Sequence, residues 1–226
     1  MNEDEGPLIE ERTAGSTLQV TEARPVPAGR FFVFEGIDGS GKSTVSRLFA
    51  ERLRSTGREV ELTAEPTNTW LGDQVRRGNR EAKNDFTETF LYIADRAEHT
   101  AQISKWTSEG RTVVCDRYVG STLAYQGVTL RPHLGPGTLE WLKRVNEPVI
   151  VRPDATFLLR IDPSKAMARL EDRKGREKFE KVNFLKKVAA LYDRLAEEDP
   201  SYIVVDAERP LDEVLGTVWS MVMSKE

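Results

Sequence analysis

One octapeptide does most to limit what this chain can fold into. Gly36-Ile37-Asp38-Gly39-Ser40-Gly41-Lys42-Ser43 fits the pattern G-x-x-x-x-G-K-[ST] at every fixed position. It follows the apolar run Phe31 to Glu35 and precedes a stretch with helical periodicity, the strand, loop and helix context the motif requires. Glycines admit positive φ and close approach, so backbone N–H groups from Gly36 through Thr44 can curl around phosphate oxygens at the positive end of a helix. Lys42 supplies a point charge able to follow a transferred phosphoryl group, and Ser43 supplies a hydroxyl for Mg²⁺. Gly36, Ile37, Asp38, Gly39, Ser40, Gly41, Lys42, Ser43 and Thr44 are therefore the expected binding site of a nucleoside triphosphate.

The motif sits in a body whose pattern is α/β. Short β-branched or aromatic runs at Phe31 to Glu35, Val60 to Ala64, Thr112 to Asp116, Ala155 to Ile161 and Tyr202 to Val205 alternate with amphipathic segments. Those segments fall near 43–56, 69–78, 85–109, 138–146, 163–172, 181–197 and 211–223. The alternation predicts a parallel sheet wrapped by helices, with chemistry on the rim beyond the carboxyl ends of the strands. At 226 residues with 38% apolar side chains the chain is long enough for one well-filled core.

Charge and composition exclude other classes. Residues 1–29 hold six acids and two bases, leaving 31 acids and 31 bases from Arg30 onward. A neutral body lacks the positive excess of a duplex-binding surface, so no nucleic acid partner is expected. Three prolines and few large apolar groups in residues 1–29 predict a disordered acidic tail, with the folded domain over 30–226. No run approaches the ~18 apolar residues of a membrane span. The N-terminus MNEDEGPLIEE is acidic where a signal peptide is basic and then apolar, so no membrane is expected and the expected location is cytoplasmic. The single cysteine, Cys115, reads as core, and with only His99 and His133 beside it a Cys/His zinc site is nearly excluded. Both histidines read as surface or helix residues.

A phosphate loop calls for a carboxylate at a neighbouring strand end to hold Mg²⁺ directly or through water, and Thr112-Val113-Val114-Cys115-Asp116 provides Asp116. Switch GTPases, motor ATPases and small-molecule kinases all remain open on these grounds. The absence of N-K-x-D disfavours a GTPase, and the chain is short for a motor. In the helix over 85–109, Phe86, Phe90, Ile93, Ala97 and Ala101 make an apolar stripe, whereas Tyr92 and Arg96, four apart, project from another side. Tyr92 offers a ring face for stacking and Arg96 a planar set of donors. The planar fork of Arg117, next to Asp116, suits a dianionic phosphate.

Taken in order, Glu65-Pro66, Phe90-Leu91-Tyr92-Ile93-Ala94-Asp95-Arg96, Asp116-Arg117-Tyr118 and Ser121-Thr122-Leu123-Ala124-Tyr125-Gln126-Gly127 resemble the thymidylate kinase family, from residue 31 to about 222. The resemblance implies a three-layer P-loop fold with a five-stranded parallel sheet and a mobile lid. It implies transfer from ATP·Mg²⁺ to dTMP, and a homodimer packed through helices. It assigns Tyr92 to base stacking, Arg96 to thymine reading and Arg117 to the acceptor phosphate. By the same token Tyr125 lies under the sugar's second carbon, Ser121 and Thr122 flank the base, and Asp38 accepts from the 3′-hydroxyl. Glu65 and Pro66 shape the acceptor pocket, although Ala64 stands where many bacterial members carry arginine. Arg169 is the residue implied to stack on the donor's adenine, beside Asp206-Ala207.

Gly39 occupies a position where one branch of the family carries a basic residue, so the extra catalytic charge has to come from elsewhere. Arg169, Arg173, Lys174, Arg176 and Lys178 crowd a segment broken by Gly175, which predicts a lid at about 170–180. Arg173 and Arg176 are expected to close over the phosphates, as in the branch that keeps its catalytic arginines there. Because Glu171, Asp172, Glu177 and Glu180 alternate with these bases, a solvated surface run stays open as the alternative.

Overall fold

A computed structural model describes residues 29–170 and 176–224, with the backbone alone for residues 176–180. The acidic stretch 1–28, Arg173 and the side chain of Arg176 lie outside the described residues. Five strands form one parallel sheet: β1 Phe31–Glu35, β2 Val60–Ala64, β3 Thr112–Asp116, β4 Ala155–Arg160 and β5 Tyr202–Asp206, in the order β2-β3-β1-β4-β5. The helices are α1 Lys42–Ser55, α2 Trp70–Glu81, α3 Asp85–Ser108, α4 Val119–Thr129, the single turn α5 Arg131–Leu134, α6 Thr138–Asn146, α7 Pro163–Arg169, α8 Arg176–Glu198 and α9 Leu211–Met223. All five strands thus fall within a residue of where the sequence pattern places them.

Strand alternation sorts the core into two layers. Phe32, Phe34 and Phe157 face Phe49 of α1, whose ring in turn meets Trp219 of α9. Phe31, Val33, Val113 and Cys115 face the other way, onto Ile103 of α3 and Tyr118. Each fully buried aromatic of this kind stabilises the fold by roughly 1.5–3 kcal/mol. Cys115 is buried as expected. The centre of the sheet belongs to β1, flanked by β3 and β4, so the phosphate loop emerges at the middle of the rim.

Three differences from the sequence pattern have physical causes. The helix α4 is not visible in it, because Gly120, Ser121, Thr122, Tyr125 and Gly127 are weak helix formers and Tyr118 at the N-cap offers no side-chain cap. Its cap comes instead from Glu35, 83 residues upstream in β1, which accepts from Tyr118 N at 2.9 Å. Second, the apolar stripe of α3 is not its core face: Phe90 is 51% exposed, whereas Thr89, Asp95, Arg96, His99 and Thr100 are buried beside Ile103. Their partners make that burial tolerable, since Arg96 and His99 both bond Glu65. His99 is a helix residue, buried on α3, while His133 is exposed and bonded to Asp85. Third, α8 opens at Arg176, several residues before the expected start, so the backbone of residues 176–180 is helical.

Candidate active site

The phosphate loop has the conformation its glycines allow. Gly36, Gly39 and Gly41 have φ of 142°, 84° and 92°. At Gly39 a Cβ would stand 2.3 Å from Ala166 O, so a side chain there is excluded by α7 as well as by the backbone angle. Lys42 is buried and its Nζ donates to Ile37 O at 2.9 Å. Burial pushes the Lys42 ammonium down to about 8, with Arg117 adding to the fall and Asp116, Asp38 and Glu35 opposing it.

Ser43, in the first turn of α1, donates to Asp116 Oδ2 at the end of β3, the strand that pairs with β1 just ahead of the phosphate loop. The other carboxylate oxygen, Asp116 Oδ1, is buried without a partner. A hydroxyl and a carboxylate together, with one oxygen orphaned, fit a hard, oxygen-seeking cation. Among the described residues no three His, Cys, Asp or Glu side chains gather into a metal cluster, so such an ion would be held jointly with the nucleotide's phosphates.

Arg117 follows Asp116 with φ 72°, an unusual angle for a side-chain-bearing residue. Its Nη2 donates to Asp38 Oδ1 at 2.5 Å and its Nη1 to Ser121 Oγ at 3.0 Å. The guanidinium lies 5.4 Å from the centre of the Tyr125 ring. Asp38 N in turn donates to Tyr125 Oη at 2.9 Å, tying the phosphate loop to α4.

Arg96 is 1% exposed and anchored on several sides. Nη1 donates to Asn146 Oδ1 at 2.7 Å; Nη2 donates to Glu65 Oε2 at 2.7 Å and Thr122 Oγ1 at 2.9 Å. Nε is buried and has no partner. Tyr92 is half-buried, and its hydroxyl accepts from Asn79 Nδ2 at 2.9 Å.

The nine residues expected to bind the acceptor, Asp38, Glu65, Pro66, Tyr92, Arg96, Arg117, Ser121, Thr122 and Tyr125, all line one cavity of about 410 Å³. Three loops and the helices α3 and α4 supply them, so the convergence comes from the fold and not from sequence proximity. Asn79, Glu88, Gln126 and Phe184 join the lining without having been singled out from the sequence. Glu88 and Gln126 pair at 3.2 Å, and burial raises the Glu88 carboxyl above the usual carboxylate range. Asn79, Glu88 and Phe184 carry no motif signal and are brought in by the packing of α2, α3, α4 and α8, whereas Gln126 stands in the 121–127 motif without an assigned role. On the donor side Arg169 Nη2 donates to Ala207 O at 3.0 Å, joining the residue expected at the adenine to the loop after β5.

A glycine-turned phosphate loop at the centre of a parallel sheet, with a second anion-ready cavity at its mouth, defines a P-loop phosphotransferase. The family model described as thymidylate kinase matches residues 34–218. The probable thymidylate kinase of Methanococcoides burtonii is 36% identical over 198 residues, covering 87% of this chain and 97% of the relative. Those of Methanosarcina barkeri and Methanoculleus marisnigri are 40% and 43% identical, each over 80% of this chain and over 89% and 87% of the respective relative. The chain belongs to the thymidylate kinase family, enzymes that phosphorylate dTMP with ATP as donor.

Proposed function

We propose that the protein transfers the γ-phosphoryl group of ATP to the 5′-phosphate of dTMP through the side chains identified above, with Mg²⁺ held between Ser43, Asp116 and the donor's phosphates. The observation that carries the residue assignment is the meeting of all nine acceptor-site residues in one cavity, with Arg117 and Asp38 at its phosphate-loop end. Tyr92 and Arg96 take the thymine, Thr122 and Ser121 flank it, Tyr125 packs under the sugar and Asp38 accepts from its 3′-hydroxyl. Glu65, paired with Arg96, and Pro66 shape the wall. Arg117 holds the acceptor phosphate; Lys42 and the loop's N–H groups from Gly36 to Thr44 hold the donor, and Arg169 covers its adenine.

Phosphoryl transfer asks little covalent chemistry of a protein, so these groups act by alignment and by neutralising charge. Ser43 and Asp116 would hold Mg²⁺ beside the donor's phosphates, where it would supply neutralisation of developing charge. Arg173 and Arg176 are proposed to close over the phosphates from the 170–180 segment, and residues 1–29 to stand outside the chemistry. We place the reaction in the cytoplasm, with the nucleotide pool. No helix among the described residues is long and apolar enough to cross a membrane.

We further propose a homodimer, supported by Phe90 and Ala101, which stay exposed on the α3 stripe while Phe86 packs against the core. Sedimentation of Phe90→Glu against the parent tests it: a dimer that persists at low micromolar concentration in both removes α3 from the interface. ADP release against a panel of nucleoside monophosphates tests the activity. dTMP should lead, and preference for thymidine over dTMP would make the protein a nucleoside kinase instead. Arg96→Ala should raise the KM for dTMP and leave that for ATP unchanged, and equal loss of both would remove Arg96 from base reading.

A further inference from the structure

Glu35 closes β1 one residue before the phosphate loop, is fully buried, and has no part in the chemistry above. Its carboxylate accepts four hydrogen bonds. Oε1 takes Tyr118 N at 2.9 Å and Ser121 N at 3.0 Å; Oε2 takes Ser121 Oγ at 2.7 Å and Tyr192 OH at 2.8 Å. No lysine or arginine bonds it directly among the described residues. A Cβ at Gly120 would come within 2.8 Å of Oε1, so the first turn of α4 reaches this carboxylate only because residue 120 is glycine.

Two consequences meet at Ser121. At the N-terminus of α4 the helix leaves Tyr118 N without a partner, and Ser121 N is shared between Tyr118 O at 3.1 Å and Glu35; an anion beside these donors is favoured by the helix dipole. The Ser121 hydroxyl has one proton, and it goes to Glu35. Toward Arg117 Nη1, 3.0 Å away, Ser121 Oγ is therefore fixed as an acceptor. Tyr192 from α8 stands 3.0 Å from the same hydroxyl and satisfies the same carboxylate oxygen. Every neighbour within hydrogen-bond distance is a donor, the surroundings of an ionised carboxylate. Burial raises the Glu35 carboxyl, while Ser121, the Tyr118 N–H, Arg117 and Tyr192 pull it back.

We infer that Glu35 is a positioning residue for the acceptor phosphate: its carboxylate locks Ser121 as a hydrogen-bond acceptor and thereby sets the Arg117 guanidinium. The inference rests on the assignment of Arg117 to that phosphate. In Glu35→Gln an amide NH₂ would face donors and compete with Arg117 for Ser121 Oγ. Tyr192→Phe removes one donor while keeping the ring that fills the core, which makes it the gentler change.

The test compares dTMP with thymidine, which shares the base and sugar and lacks the phosphate. Binding of both is measured by calorimetry on the full chain for Glu35→Gln, Tyr192→Phe, Arg117→Ala and the Glu35→Gln, Arg117→Ala pair, with steady-state KM values alongside. Glu35→Gln should weaken dTMP about tenfold and Tyr192→Phe about threefold, with thymidine affinity and the KM for ATP within about twofold of the parent. In the Arg117→Ala background Glu35→Gln should add nothing, because the two act through one contact. Equal loss of dTMP and thymidine, or no loss of either, overturns the inference; if Glu35→Gln does not fold, Tyr192→Phe decides on the same criteria. Should Arg117→Ala itself fail to separate dTMP from thymidine, the phosphate role of Arg117 falls and the inference with it. Separation by Arg117→Ala without separation by the Glu35 and Tyr192 variants removes the inference alone.

Discussion

Lys42 should destabilise the ligand-free protein through its charge, and the effect has a pH signature. In an unfolded chain the ammonium titrates near 10.5, whereas in the fold burial holds it at about 8. Between those values the unfolded chain binds the proton that the folded one has lost, so stability contributed by this group rises with pH across that window. Below pH 8 the cost is fully present; the gap of about 2.5 units corresponds to about 3 kcal/mol at about 1.36 kcal/mol per unit.

Lys42→Met keeps the length and apolar stem of the side chain and removes the charge. It also orphans Ile37 O, but that loss does not vary with pH. The assay is urea unfolding of both proteins at intervals from pH 7 to 10.5. The stability of the parent relative to Lys42→Met should climb by about 3 kcal/mol, no faster than about 1.4 kcal/mol per pH unit. A flat difference would refute the reasoning, and a falling one would mean that Lys42 is held above its ordinary value. Bound phosphates supply the missing counter-charge, so calorimetry at pH 9 in buffers of different ionisation heat should show proton uptake on ATP binding in the parent and none in the variant.

Removing one member of the buried Arg96–Glu65 pair strands the other, so Arg96→Met should lower unfolding free energy by about 3–5 kcal/mol. Arg96→Met with Glu65→Gln should recover part of it in the same urea titration. Gly39→Ala drives a Cβ into Ala166 O at a positive φ and should cost about 2 kcal/mol or more, read as a lowered urea midpoint with unchanged slope. Asp116→Asn should raise the Mg²⁺ concentration for half-maximal turnover at least about tenfold, and an unchanged metal titration would take Asp116 out of the metal site. Asn79→Ala frees the Tyr92 hydroxyl and should raise the KM for dTMP by a few-fold at unchanged kcat.

What could be read in advance was what local chemistry dictates. Strands announced themselves through runs such as Phe31–Glu35 and Thr112–Asp116, and the phosphate loop through its glycines. Residues that reach across the fold stayed hidden. The carboxylate that starts α4 sits at Glu35, so nothing near Tyr118 betrays a helix start. The periodicity of α3 pointed to Phe90 and Ala101, yet the buried side is polar because Glu65, Asn146 and Thr67 arrive from other elements to satisfy Arg96, His99 and Asp95. The acceptor-site residues were found because each belongs to a short motif. Asn79 and Glu88 belong to none, and only the folded arrangement of α2, α3 and α4 reveals them.

Asp116 and Arg117, assigned to opposite substrates, are consecutive residues whose Cα atoms a trans peptide bond separates by about 3.8 Å. The spacing of the two backbones that carry these side chains is therefore ruled by covalent length instead of by how helices settle against strands. Thermal breathing of the layers would carry both backbones together, unlike two residues drawn from separate elements.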